Sequence, residues 1–332
     1  METKIGILYI CTGNYYIFWK DFYLSMEKNF INDSEKHYFV FTDNKEIDFE
    51  NKNSHIHKIY QEDLGWPDNT LKRFHVFLKH EKELLNMDYL FFFNANLLVL
   101  ENITKEEFLP INNQNLVATL HPGFYDKNRN KFTYENNKKS TAYISSEKGT
   151  RYFAGGLNGG KTKEFINAMK KMKENTDTDT KNKIIAKWHD ESHWNKYIID
   201  RNDIKILEPG YLYPEGWNLP FKQKILIRDK NNYGGHNTLR KKQETKTEVL
   251  IKKIRNLMTK IRKNLPNFGK LLFYKYKKAL ILDNGVEIFN TNLLITTIAF
   301  NNLDILKIQY QQLKKNLKDE FIYMIADNSS IF

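Results

Sequence analysis

The stretch Tyr89-Leu90-Phe91-Phe92-Phe93-Asn94-Ala95-Asn96-Leu97-Leu98-Val99 constrains the fold more than any other part of the chain. An apolar run of this kind reads as a buried strand. It is broken by Asn94 and Asn96, spaced i, i+2, so on extended backbone both side chains leave on the same face. An amide offers an oxygen but no charge, and hard cations want carboxylate oxygens. The pair therefore has the spacing of a cation site without its charge.

The surrounding segments predict what this strand joins. Lys4–Cys11 alternates and ends in Cys11-Thr12-Gly13-Asn14, a strand followed by a turn. Phe18–Phe30 carries apolar residues at helical spacing, and His37–Thr42 reads as a second strand ending at Asp43-Asn44. Leu71–Leu85 reads as an amphipathic helix with Asn69 or Thr70 as its N-cap. Strand–helix–strand alternation predicts an α/β chain with a parallel, doubly wound sheet. Such sheets bind ligands at the carboxyl ends of their strands. The ends of the first and third strands are thus the expected nucleotide crevice. Further on, Lys163–Lys173 and Lys181–Asp200 read as helices separated by a polar turn, and residues 205–240 as a strand and loops.

Composition narrows the class. The chain has 332 residues, 41% hydrophobic and 14% aromatic, enough for a large core. No apolar run reaches the roughly 18 residues of a membrane span, and residues 1–12 lack the regions of a signal peptide. A cytoplasmic location is expected. Cys11 is the single cysteine, which excludes a disulfide framework and any cysteine-based zinc site. The formal net charge is +12, with Lys252, Lys253, Arg255, Lys260, Arg262 and Lys263 crowded late in the chain. No nucleic-acid recognition motif accompanies them, so nucleic acid is not an expected partner. A basic stretch of this kind, interspersed with Leu257, Ile261 and Leu271, reads as peripheral contact with an anionic membrane or as a charged linker. After it, Asn292–Ala299 reads as a strand, Leu303–Leu317 as a helix and Phe321–Ala326 as a strand. A lone unit of about 40 residues cannot bury a sufficient core.

Two motifs carry chemistry. Gly155-Gly156-Leu157-Asn158-Gly159-Gly160-Lys161-Thr162 matches the phosphate-loop spacing Gly-x4-Gly-Lys-Thr. However, the residues before it are too short and polar for a central strand, so a glycine-rich loop that lets backbone approach a sugar competes with that reading. Trp188-His189-Asp190-Glu191-Ser192-His193 sits in a helical stretch. Its two histidines are i, i+4, but a zinc-protease helix needs Glu directly after the first His, and Asp190 stands there. The adjacent carboxylates matter more: glycosyl transfer with retention needs a carboxylate beneath the anomeric carbon. Trp188 offers the aromatic face that sugars favour.

Together these segments resemble glycosyltransferase family 6, the family of the ABO blood-group and α-1,3-galactosyl enzymes. The matching residues are Phe39–Asp43, Leu120–Tyr125, Phe132–Glu135, Ala142–Ile144, the glycines 155, 156, 159 and 160, Trp188–His193 and Asn195–Tyr197, in family order over roughly residues 4–240. The resemblance implies a GT-A-type, Rossmann-like catalytic domain over 1–240. It leaves 241–290 as a basic helical linker or membrane-associating segment. Residues 291–332 resemble the truncated start of a second glycosyltransferase domain.

By the same resemblance Glu191 is the nucleophile or ion-pair stabiliser, and Asp190 holds donor-sugar hydroxyls. Ile10, Cys11, Thr12 and Tyr15 line a uridine pocket. Arg73 and Lys230 bind the donor, and Asn94, Ala95 and Asn96 occupy the metal-binding segment. Ala154, Gly155 and Gly156 flank the donor sugar. His121, Thr133 and Trp188 meet the acceptor. The family's acceptor-binding Asp after Tyr-Leu-Trp is missing, since Tyr211-Leu212-Tyr213 runs into Pro214; Glu215 is the expected substitute. Asn-Ala-Asn resembles the bacterial, metal-independent branch. The expected reaction is retaining α-1,3 transfer of GalNAc or Gal from the UDP-sugar to a galactose of a fucosylated glycan, with no metal cofactor. Lys230, Arg73 and Arg240 or Lys241 would neutralise the leaving diphosphate. A phosphate-loop nucleotidase and an inactive sugar- or lipid-binding protein are the alternatives.

Overall fold

The computed structural model describes residues 2–240, 294–299 and 322–327. Ten strands lie in the first stretch: β1 (Lys4–Ile10), β2 (Glu35–Thr42), β3 (Ile56–Tyr60), β4 (Tyr89–Phe93), β5 (Leu97–Val99), β6 (Leu116–Leu120), β7 (Phe153–Lys161), β8 (Ile204–Leu207), β9 (Tyr213–Pro214) and β10 (Ile225–Ile227). Seven form one sheet in the order β3-β2-β1-β4-β7-β6-β8, and β5-β10-β9 form a small second sheet. The helices are α1 (Trp19–Asn29), α2 (Asp68–Leu71), α3 (Arg73–Leu78), α4 (Glu81–Leu84), α5 (Lys105–Phe108), α6 (Thr162–Lys181), α7 (Asp190–Ile198) and α8 (Gly235–Leu239).

The apolar run at β4 is explained by burial on both faces. Phe91 and Phe93 join Tyr9, Trp19, Phe22 and Phe108 on the α1 side, whereas Leu90 and Phe92 join Phe74, Phe77, Phe165 and Met169 on the other. Truncating a buried Phe of this kind to Ala costs about 3–5 kcal/mol. The sheet is parallel from β3 through β4, as the alternation predicts, but β7 runs antiparallel between β4 and β6. That is the mixed GT-A-like arrangement, with a Rossmann-like parallel half.

Several elements differ from expectation, each for a local reason. The glycine run is not a loop. It is β7, bonded on both sides, and it cannot wrap a phosphate. A Cβ at Gly159 would lie 2.2 Å from the Leu90 carbonyl oxygen, and one at Gly160 2.3 Å from that of Asn115. These glycines permit strand packing, while Lys161 Nζ bonds Asn112 and Asn115. The phosphate-loop reading of these residues is thereby excluded.

The helix expected over Leu71–Leu85 is three short turns, because the backbone leaves helical angles at Lys72 and His80. Asn69 does not cap it; its side chain bonds Leu64 N–H and Asp63. The polar turn expected near residue 177 is absent, and α6 runs through it unbroken. There Asp179 is buried and accepts from Ser140 Oγ (2.5 Å) and Thr141 N–H (2.7 Å), so the polar run is satisfied inside the fold. The helix expected over Lys181–Asp200 begins only at Asp190, after His189 at φ 52°.

Beyond residue 243 a second unit, Glu244–Phe332, is separate by its contacts. Within it β11 (Leu294–Ala299) and β12 (Ile322–Asp327) pair in parallel. The expected helix over 303–317, the basic segment 241–290 and Lys241 lie outside the described residues. No helix among the described residues is long and apolar enough to cross a membrane.

The first unit closes on itself through α8. Asn14 donates from its backbone to Leu239 O (2.9 Å) and from Nδ2 to Thr238 O (2.8 Å), and Leu239 is fully buried. A chain ending at Gln243 is therefore expected to unfold in one cooperative transition close to that of the full chain, read by circular dichroism. A chain ending at Asp229 lacks α8 and should melt clearly lower. Failure of the Gln243 chain to fold would show that later residues complete this core.

Candidate active site

Three strand ends and one helix end converge. At the end of β1, Ile10 is partly buried, and Cys11 and Thr12 are buried. Cys11 N–H bonds Phe41 O (2.9 Å), and the Thr42 hydroxyl bonds Cys11 O (3.0 Å). Burial pushes the Cys11 thiol up to about 12, so it is inert. Cys11 and Thr12 thus shape the crevice floor more than they contact a ligand. Gly13 turns at φ +65°, its N–H bonding Asp43 Oδ1 (2.8 Å). Tyr15 follows, with its backbone N–H on Thr12 O.

Two cations stand beside Tyr15. Lys230 Nζ lies 5.4 Å from its ring centre, and the Arg240 guanidinium, 5.2 Å from the Trp66 ring centre, opposes the rise that burial gives the Tyr15 hydroxyl. Burial and the nearby Arg240 charge push Lys230 down to about 8. Two like charges facing one crevice destabilise each other until an anion arrives.

The Asn94–Asn96 segment is a turn rather than a continuation of β4, so the strand rule for i, i+2 residues does not hold. Asn94 lies against Gly156: its backbone N–H bonds Gly156 O, and its Nδ2 is 3.7 Å from where a Gly156 Cβ would sit. Asn96 is buried, donates Nδ2–H to Arg228 O (2.7 Å) and accepts Arg228 N–H on its own carbonyl. It clips the turn to the segment leading into Lys230. Its Oδ1 is buried without a partner among the described residues. Ala95 is buried, and its carbonyl accepts the Tyr9 hydroxyl (2.8 Å). Two neutral amides in different places, one beside the Arg228 guanidinium, do not fit a hard divalent cation.

The carboxylates occupy the first turn of α7, where the helix dipole favours negative charge. Asp190 is buried and ion-paired to Arg73, whose Nη1 also donates to Gly155 O (3.1 Å) and whose guanidinium lies 3.9 Å from the Phe92 ring centre. Removing either partner of such a buried pair costs about 3–5 kcal/mol. Glu191 is partly exposed. Its Oε2 accepts Gly155 N–H (2.8 Å), and its Oε1 accepts the Tyr152 hydroxyl (2.8 Å). Burial raises its carboxyl to about 7, against the lowering effect of these bonds. A Cβ on Gly155 would lie 3.0 Å from Glu191 Cβ and 3.2 Å from Asp190 Oδ2, so glycine lets the helix end approach the strand closely. Asn195 locks the helix to β7, donating to Phe153 O (2.7 Å) and accepting Phe153 N–H (3.0 Å). Ala154 is buried at the same edge, and Gly156 is partly exposed.

The remaining expected residues fall in two groups. His121 adjoins Tyr152: its backbone N–H bonds Tyr152 O, its Nδ1 accepts Gly123 N–H (3.0 Å), and burial pushes it down to about 4. It is neutral at pH 7 with the proton on Nε2. Thr133 lies near enough to the Tyr152 hydroxyl to oppose the rise that burial gives it, and that hydroxyl donates to Glu191. Trp188 is 48% exposed. Glu215 stands apart: its carboxylate accepts Asp229 N–H (2.6 Å) and supports the turn carrying Lys230. Sequence reasoning missed Tyr152 and Trp66, neither of which belongs to a quoted motif, and it quoted Asn195 in a matching segment without giving it a role. The i, i+4 spacing of His189 and His193, set aside above as a zinc helix, does not bring the two rings together. In the structure His189 touches Thr70 and Trp66, while His193 is buried 4.0 Å from Asp179.

Known proteins match the same stretch. An O-antigen biosynthesis glycosyltransferase, WbnI of Escherichia coli, is 36% identical over 237 residues, covering 71% of this chain and 99% of that protein. Histo-blood group ABO system transferase 1 of Rattus norvegicus is 30% identical over 225 residues, 65% of this chain and 63% of that one. Globoside alpha-1,3-N-acetylgalactosaminyltransferase 1 of Homo sapiens is 26% identical over 233 residues, 68% of this chain and 65% of that one. The chain thus matches about two thirds of each animal protein's length and nearly all of the bacterial one. With the glycosyltransferase family 6 model matching residues 1–241 as well, the chain belongs to glycosyltransferase family 6.

Proposed function

We propose that this glycosyltransferase moves GalNAc, or Gal, from the UDP-sugar to a galactose hydroxyl of a fucosylated glycan, with retention and without a divalent metal. The observation that carries this reading is Glu191, held by Tyr152 and Gly155 at the turn where Asp190 meets Arg73. Names of the relatives support the sugar class. Uridine would lie over the end of β1 beside Tyr15, and the diphosphate between Lys230 and Arg240. Those cations supply fixed charge in a water-poor site, the role a metal has elsewhere. Asp190 and Arg73 hold sugar hydroxyls, while His121 Nε2–H, Thr133 and Trp188 orient the acceptor.

The C1–O bond to UDP breaks as positive charge develops on the sugar. Glu191 meets that charge as nucleophile or as ion-pair partner. The acceptor hydroxyl then bonds C1 on the face UDP left, and its proton passes to the departing phosphate. Basic residues in 241–290 would add contact with an anionic membrane inside the cell. Sedimentation of the full chain, but not of one ending at Gln243, with anionic vesicles tests that part.

The decisive assay is a panel of UDP-sugars against fucosylated and plain galactosides. Transfer is expected to persist in excess EDTA and to gain little from manganese. Loss on chelation with recovery on manganese would overturn the metal-free reading. Turnover with ATP but no UDP-sugar, or binding without transfer, would overturn the reaction itself.

Glu191→Gln keeps the shape and removes the charge. Its rate should fall by ~10² or more with UDP binding retained. For wild type, Glu191 acts ionised and its pKa lies at about 7, so log kcat/KM should fall as pH drops below about 7. Near-normal turnover of the variant, or a flat profile down to pH 5, would contradict the role.

Gly156→Ala probes the donor. Its Cβ would meet nothing closer than 3.7 Å, so the variant should fold and shift the GalNAc-to-Gal ratio toward Gal. Gly155→Ala, crowding Glu191, should instead lose activity with both donors. An unchanged donor ratio in Gly156→Ala would remove this residue from specificity.

A further inference from the structure

At the opposite end of the strands from the crevice, a second cluster is assembled. β2 opens with Glu35-x-His37, and the chain enters β3 through His55-x-His57. Residues two apart on extended backbone share a face. Parallel pairing of Phe39 with His57 sets the two couples side by side. The ligand atoms of Glu35, His37 and His55 all lie within 4.8 Å of one another, the one such group among the described residues. His37 Nε2 is 2.5 Å, and His55 Nε2 3.7 Å, from Glu35 Oε1. These spacings bracket the ~3.3 Å ligand-to-ligand edge that metal bonds of about 2.0–2.1 Å give in a tetrahedron.

The second nitrogen of His37, Nδ1, lies 3.0 Å from His57 Nε2. A ligating imidazole needs such an outer acceptor, which fixes its tautomer and raises its basicity. Lys4 Nζ stands 3.9 Å from Glu35 Oε1 and is the competing cation. At 46% side-chain exposure it can swing out to solvent.

We propose that Glu35, His37 and His55 bind one Zn²⁺ ion, with His57 as the outer hydrogen-bond partner of His37 and water in the fourth position. Two nitrogen donors and one carboxylate suit zinc-like ions rather than Mg²⁺ or Ca²⁺. The ion would clamp β3, the edge strand of the main sheet, to β2. The intervening segment begins at Asp43, which holds Gly13 in the nucleotide crevice. The site stands apart from the transfer residues and does not depend on the proposed reaction.

The test uses tag-free, chelator-stripped full-length protein and ZnCl₂ in calorimetry and thermal melts. One equivalent should bind. The midpoint should rise by about 5–10 °C at ~100 times the dissociation constant, with no rise for MgCl₂. Cobalt should give a visible absorption band of low-coordinate Co²⁺. Glu35→Gln with His55→Ala should abolish both signals while leaving sugar transfer at 25 °C unchanged. The His55 backbone is held independently, its carbonyl by Tyr38 N–H and its N–H by Asn53 Oδ1, so the double variant should fold. His57→Phe keeps the packing on Phe39 and should weaken zinc by about 10–100-fold. Absence of stoichiometric zinc binding, or binding that survives the double variant, would overturn the site.

Discussion

The contact between the first turn of α7 and the backbone of Gly155 is the constraint on which the candidate site depends. One peptide segment serves two acids: Gly155 N–H binds Glu191, and Gly155 C=O binds the arginine that neutralises Asp190. A side chain at residue 155 would crowd both acids, since its Cβ would lie 3.0 Å from Glu191 Cβ and 3.2 Å from Asp190 Oδ2. Asn195 holds the same seam from one helical turn further on, using the backbone of Phe153 as an adjacent strand would. Leaving those buried backbone groups unpaired would cost about 1–3 kcal/mol each. Fold and chemistry therefore share their hydrogen bonds, and β7 runs antiparallel where the rest of its neighbourhood is parallel.

Electrostatics divide the crevice. On the α7 side, Asp190 is buried and paired, while the partly exposed Glu191 has its carboxyl raised to about 7. On the α8 side, Lys230 and Arg240 both stand near Tyr15, and neither has an ion-pair partner among the described residues. A nucleoside diphosphate sugar has the matching order: anionic in the middle, and becoming cationic at C1 as its bond breaks. Asn96 joins the halves, since it ties the end of β4 to the segment that presents Lys230.

Much of this was legible in the sequence. The central strand and its parallel neighbours follow from hydrophobic periodicity, Asp190 and Glu191 stand in a quoted motif, and Arg73 was placed by family resemblance alone. What was not legible depended on distant partners. The glycine run reads as a loop because nothing local shows that Phe91 and Asn115 crowd it from both sides. The polar stretch in α6 reads as a turn because Ser140 and Thr141, which satisfy Asp179, lie far off in sequence. Tyr152 precedes β7 without a motif, and its bond to Glu191 exists only in three dimensions. Asn94 and Asn96 share a face only if the backbone stays extended, and it turns.

In the proposed reaction Glu191 meets positive charge on the sugar from the face opposite UDP. The anomeric configuration of the first-formed product tests this most directly. Proton NMR of the anomeric signal, followed from the start of the reaction with the UDP-α-sugar donor, should show an α-linked product. A β-linked first product would contradict the account, because inversion needs a base beside the acceptor and leaves no part for a carboxylate beneath C1.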